Sequence, residues 1–146
     1  MDFGLKKNRT LLAAATALFL IAWMVYSIQQ APQWTGHSDQ GLWKTSYKSE
    51  YTPKDIWRGS IQWNGDSEAT LKNVKLTQNG DVIHDWEASK KMKSGEETEY
   101  LSMGNGWENR SDQFLLTIQW TDAAGDRSET LRLQPRTRYF TFPSPS

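Results

Sequence analysis

The chain carries little that could make or break a covalent bond. It has two histidines, His37 and His84, and no cysteine. His84 precedes Asp85, an order that suggests a proton relay. In an extended strand, however, adjacent side chains leave on opposite faces, so these two are not expected to cooperate. No Gly-x-Ser-x-Gly elbow presents a nucleophilic serine. A pair of carboxylates working as in a glycosidase would have to come from Asp55, Asp66, Glu68, Asp81, Asp85 or Glu87. Many of these lie in turns, where an aspartate is explained by bonding to nearby backbone. Asp122 and Asp126 flank Ala123-Ala124-Gly125 and could offer oxygens to calcium, but a hairpin tip uses the same residues and no EF-hand loop is present. The reading is therefore a non-enzyme with no catalytic residue, no metal ligand and no cofactor. The missing cysteines also exclude disulfides, thiolate chemistry, Cys-ligated metal sites and a lipoprotein anchor.

Residues suited to binding are easier to find. The stretch 103–112, MGNGWENRSD, is a polar loop with Trp107 at its centre and Arg110 close by. Tryptophan and arginine are the types most often found at binding hot spots, and Gly104 and Gly106 would let the loop expose the indole. The alternative is that Trp107 folds back to plug the open end of the domain. Asn8-Arg9-Thr10 and Asn109-Arg110-Ser111 match the glycosylation sequon, which matters only where that modification operates.

The elements that must position these residues begin with an anchor. Residues 11–28, LLAAATALFLIAWMVYSI, contain no charge and would span about 27 Å as a helix, close to the roughly 30 Å of a bilayer's hydrocarbon core. Lys6, Lys7 and Arg9 precede the stretch and no basic residue follows it until Lys44, so the N-terminus is expected inside the cell and the rest outside. A cleaved signal peptide has the same charge order. Its apolar region is usually shorter, though, and neither Gln29-Gln30-Ala31 nor Val25-Tyr26-Ser27 makes a good cleavage site. An uncleaved anchor is the better match.

Of the 17 basic and 17 acidic residues, three basic and one acidic precede the apolar stretch, which leaves 14 basic against 16 acidic residues beyond it, a net charge of −2. Without clustered basic residues to neutralise phosphates, nucleic-acid binding is not expected.

Beyond the anchor, the pattern is one of strands. Residues 29–41 are polar, with proline and glycine, and read as a tether. Alternation then marks 42–48, 56–63, 70–78, 98–103, 114–120 and 127–133, with a less regular strand at 82–87 and a further edge strand at 137–142. Asn79-Gly80 is a two-residue hairpin signal. The charged run 89–95 reads as a solvated loop. One face of these strands should form a core of Trp57, Ile61, Trp63, Val74, Leu76, Leu116, Ile118, Trp120 and Leu131. The division expected is 1–10 cytoplasmic, 11–28 transmembrane, 29–41 tether, 42–142 extracellular domain and 143–146 tail. Seven or eight antiparallel strands without a helix fit an all-β, immunoglobulin-like sandwich, with a small barrel as the alternative.

Leu71-Lys-Asn-Val-Lys-Leu76, Gly80 and Ser94-Gly95-Glu96 resemble the middle strands of bacterial surface sandwich domains. With the anchor and Trp57-x-Gly59-x-Ile61-x-Trp63, the chain resembles small uncharacterised membrane-anchored exported proteins of Bacillus-type bacteria. The likeness is one of architecture; it implies no activity and carries over no functional residue. The function expected is a protein-interaction or envelope accessory module. The alternative is a glycan- or cell-wall-binding module using exposed tryptophans. A bare edge strand or aliphatic patch would favour the first, and exposed tryptophans the second.

Overall fold

The structure is a computed structural model and describes residues 3–29, 32–50, 56–103, 109–137 and 139. It divides into two compact units, residues 1–30 with 137–146, and residues 31–136.

Helix α1 (Phe3–Gln29) has 27 residues, about 40 Å at 1.5 Å per residue. An 18-residue window of its segment Asn8–Gln29 has a mean hydropathy of 2.1, and only 6% of that window is buried, which makes the helix long and apolar enough to cross a membrane. Leu12, Leu18, Phe19 and Ile21 stand exposed around the helix rather than along one stripe. The Thr16 hydroxyl donates to the Leu12 carbonyl at 2.9 Å. That bond satisfies the hydroxyl on the helix's own backbone.

The second unit is all antiparallel β: β1 (Gln33–His37), β2 (Trp43–Ser49), β3 (Ile56–Trp63), β4 (Ala69–Gln78), β5 (Asp81–Met92), β6 (Glu97–Met103), β7 (Phe114–Asp122) and β8 (Gly125–Arg136). They form one sheet in the order β5-β4-β7-β8-β1-β2-β3-β6. The long β8 joins its two halves, pairing with β7 from Gly125 to Leu133 and with β1 from Gln134 to Arg136. Rings from the two halves meet inside: Trp34 with Phe114 at 4.7 Å, Tyr47 with Phe114 at 5.4 Å, and Trp43 with Trp120 at 5.5 Å. The sheet is thus nearly closed and barrel-like, with β5 and β6 as its two ends. All nine residues expected in the core are buried, none more than 2% exposed. At the Asn79-Gly80 tip both residues have positive φ, 53° and 96°, as a type I′ hairpin requires.

Two stretches differ from the sequence reading. Gln33–His37, read as tether, is a strand between β8 and β2, and its Trp34 is 1% exposed. The run read as a solvated loop from residue 89 is strand through Met92, which is fully buried. The uneven spacing of Val82, Ile83 and Trp86 has a cause in register shifts: β5 carries an extra residue at Ile83, and β4 one at Lys72. A bulge moves the following side chains to the other face and so disturbs the period-two pattern. Of the expected edge strand at 137–142, residues 138 and 140–142 lie outside the described residues, and Thr137 and Tyr139 are not in a strand.

Candidate functional site

Trp107, with Gly104 and Gly106, lies outside the described residues; Arg110 is exposed at the end of the same loop. The residues just after Arg110 are clasped to the β4–β5 hairpin. Asp112 accepts hydrogen bonds from the Asn109 N–H at 2.8 Å, Asn79 Nδ2 at 2.9 Å and Gln78 Nε2 at 3.0 Å. The Gln113 N–H donates to Asn79 Oδ1 at 2.9 Å. Burial pushes the Asp112 carboxyl up, and the three donors more than offset this, so it stays below the usual carboxylate range.

The tryptophans are mostly spent on packing. Trp34, Trp43, Trp57, Trp63 and Trp120 are buried, and Trp86 is partly buried against the same core. No row of exposed tryptophans occurs among the described residues of the β unit.

The ends of the sheet are more informative. β5 and β6 follow one another in sequence and are joined by a tight turn, Glu96 N–H donating to the Lys93 carbonyl at 2.9 Å. They do not pair, because β6 pairs with β3 instead. Side chains fill the seam between them. The Tyr100 ring of β6 stacks on His84 of β5, with centroids 4.8 Å apart. The Tyr100 hydroxyl and His84 Nε2 are buried with no hydrogen-bond partner among the described residues. Burial, with a smaller contribution from Tyr47, pushes the Tyr100 hydroxyl far above the ordinary phenol range. Asp85 turns elsewhere, accepting from Asn73 Nδ2 at 2.9 Å and facing Lys75 Nζ at 3.5 Å. His84 and Asp85 thus take different partners.

The outward face of β6 begins acidic and ends apolar. Glu99 is paired with Arg58, whose Nε also donates to Glu50 at 2.6 Å. Leu101 and Met103 follow on the same face, 54% and 80% exposed. No described strand pairs with the outer side of β6. Alternation in 98–103 marks this strand from sequence, but only the topology makes it an end of the sheet.

The carboxylates considered for calcium are engaged otherwise. Asp122 accepts from Trp120 Nε1 at 3.0 Å and from the Ala124 N–H at 2.8 Å, which lowers its pKa. Asp126 accepts from Thr121 and, at 2.9 Å, from Lys72. Among the described residues no three acidic or histidine side chains converge as a metal site.

His84 gives stability a pH dependence. Burial lowers its pKa from 6.5, partly countered by Asp85. The unfolded chain therefore takes the proton first. The contribution is complete above about pH 6.5 and is lost as pH falls toward the lower folded value. Asp85, Glu96, Asp112, Asp122 and Asp126 also have lowered pKa values. Their contributions are present above about pH 4 and lost on further acidification. Melting temperature should thus fall in two steps, and His84→Leu should remove only the upper one. A wild-type curve that is flat from about pH 7 to 5 would show a solvated imidazole.

The chain matches no protein-family model and no curated protein.

Proposed function

We propose that the chain is a single-pass membrane protein whose β unit lies outside the cell and binds another envelope protein along the β6 edge. The observation that carries this is a strand whose outer edge has no partner among the described residues and which ends in exposed Leu101 and Met103. Bare strand edges recruit further strands by backbone hydrogen bonding, and natural proteins usually guard them with charge. β6 keeps that guard at Glu97 and Glu99 and lacks it at Leu101 and Met103. Burial of five tryptophans speaks against a glycan module built on exposed indoles. Lys6, Lys7 and Arg9, in α1 ahead of its apolar stretch, support the cytoplasmic N-terminus, with the bilayer as the partner of α1. The same reading takes the facing halves of the sheet as a nearly closed variant of the immunoglobulin-like sandwich, and keeps the chain among the small exported membrane proteins it resembles.

Because the chain has no cysteine, Leu101→Cys supplies a unique handle, with exposed Ser128→Cys on β8 as control. A membrane-impermeant maleimide should label both variants in intact cells. A maleimide photo-crosslinker should give a discrete adduct from position 101 and none from 128. Labelling only after lysis would overturn the orientation. No adduct, or the same adduct from both positions, would overturn the β6 contact.

A further inference from the structure

The outward face of β8, β1 and β2 carries a basic patch that overall composition conceals. Along β1, β2 and the last five residues of β8 the outward residues are Arg132, Gln134 and Arg136, then Gln33, Thr35 and His37, then Lys44, Ser46 and Lys48, with no carboxylate among them. Register arranges them in rows. His37 lies opposite Lys44, and Lys44 opposite Gln62; Gln134 lies opposite Thr35, Thr35 opposite Ser46, and Ser46 opposite Ser60; Arg136 lies opposite Gln33. Rows are two residues apart along a strand, so the Lys44 row and the Arg136 row are separated by about 13 Å, with the hydroxyl row between them.

The surface is concave here. Gln33, Thr35, Lys44, Ser46, Gln62 and Arg136 are among the residues lining a groove of about 630 Å³, whose one carboxylate is Glu97, at the end of the Lys44 row opposite Gln62. Elsewhere on the β unit Arg58, Lys72, Lys75, Lys90, Lys91 and Arg127 each have a carboxylate partner. Lys44, Lys48, Arg132 and Arg136 have none among the described residues. Unpaired cations gathered on one face of an otherwise slightly acidic domain complement an anion.

We infer that this groove binds a phosphodiester-linked polyol chain, with successive phosphates held at the Lys44 and Arg136 rows and the intervening hydroxyls bonded to Thr35, Ser46 and Ser60. Two cationic rows about 13 Å apart suit a chain with repeated charge, whereas one lipid headgroup carries a single phosphate. A planar bilayer surface would meet protruding basic side chains more readily than recessed ones. Single-stranded nucleic acid would want exposed rings for its bases, and the aromatic residue beside the groove, Trp43, is fully buried. The groove reaches β6 only at Glu97, the end of the strand away from Leu101 and Met103, and neither proposal depends on the other.

The test uses the full chain in phosphatidylcholine nanodiscs, titrated calorimetrically at low salt with a synthetic glycerol-phosphate oligomer. The wild type should bind, and the double variant Lys44→Gln with Arg136→Gln, which loses two charge-assisted contacts, should bind about a hundredfold more weakly or worse. Its melting temperature should not move. Lys72→Gln with Arg127→Gln should bind like the wild type. Absence of binding at millimolar oligomer, equal binding by both double variants, or equal binding of polyglutamate would each overturn the inference. So would binding seen only with phosphatidylglycerol nanodiscs.

Discussion

Replacing Trp43 by alanine is expected to lower the stability of the β unit by about 3–5 kcal/mol, the range found when large aromatic residues are removed from cores. Trp43 is fully buried where the halves of the sheet meet, 4.7 Å from the Trp63 ring and 5.5 Å from that of Trp120. Its backbone also holds the β1–β2 connection, with its N–H donating to Ser38 Oγ and its carbonyl accepting from the Ser38 N–H, both at 2.9 Å. Alanine keeps these backbone bonds but removes the ring that bridges the halves, leaving a cavity that two rigid indoles cannot fill. A small domain has only about 5–15 kcal/mol in total, so the variant should unfold near physiological temperature. Trp43→Phe supplies the contrast. The indole Nε1 has no partner among the described residues, and phenylalanine keeps most of the buried area without that unsatisfied donor, so its cost should stay below about 1.5 kcal/mol. Denaturant melts followed by near-ultraviolet circular dichroism would separate the two variants. A Trp43→Ala protein as stable as the wild type would mean that the two halves are not joined by these rings.

What made β3 and β7 legible was alternation over seven or more residues with large apolar side chains on the inner face. β7 shows it most clearly, with Phe114, Leu116, Ile118 and Trp120 all buried. β1 lacks that redundancy. Its inward residues are Trp34 and Gly36, and its outward ones, Gln33, Thr35 and His37, are what a linker would also contain. The second half of β5 hides for a different reason. It is at the end of the sheet, so Lys91 projects into water and Lys90 pairs with Glu96. A strand buried on one side only, with lysines along it and a displaced register behind it, has the composition of a loop.

The candidate sites were less legible than the fold because both depend on which strands are neighbours. Local pattern marks β6 as a strand but gives no sign that β3 is its sole partner. The basic groove joins Gln33, Lys44 and Arg136, residues from opposite ends of the β unit, and only the placement of β8 beside β1 brings them to one face. Net charge, read only as evidence against nucleic-acid binding, gave no sign of this patch because it averaged it with the carboxylates of β6 and the turns. Averages of that kind are blind to segregation by face.

Gly59→Ala is expected to cost about 1–3 kcal/mol or more, a large effect for one methyl group, because overpacking a core forces rings off their rotamers. Gly59 belongs to the tryptophan-bearing face of β3, where sequence alone suggests that any apolar residue would serve. Its cross-strand neighbours are Tyr47 on β2 and Tyr100 on β6. A Cβ built on Gly59 would lie 2.0 Å from Tyr100 Cζ and 2.3 Å from Cε1, so the tyrosine ring occupies the space of the missing side chain. That ring has little room to retreat, being stacked between His84 at 4.8 Å and Tyr47 at 6.4 Å. The strain is steric, since Gly59 does not have a positive φ. A double-mutant cycle isolates it. Tyr100→Val alone should destabilise by removing a buried ring, but in its presence the alanine should cost little, giving a coupling within the roughly 0.5–3 kcal/mol seen for residues in contact. The His84 step in the pH profile should also shrink in Tyr100→Val, because the stacked ring is among the groups that keep water from the imidazole. Strictly additive effects of the two substitutions would mean that Tyr100 does not lie over Gly59, and the seam between β5 and β6 would need another closure.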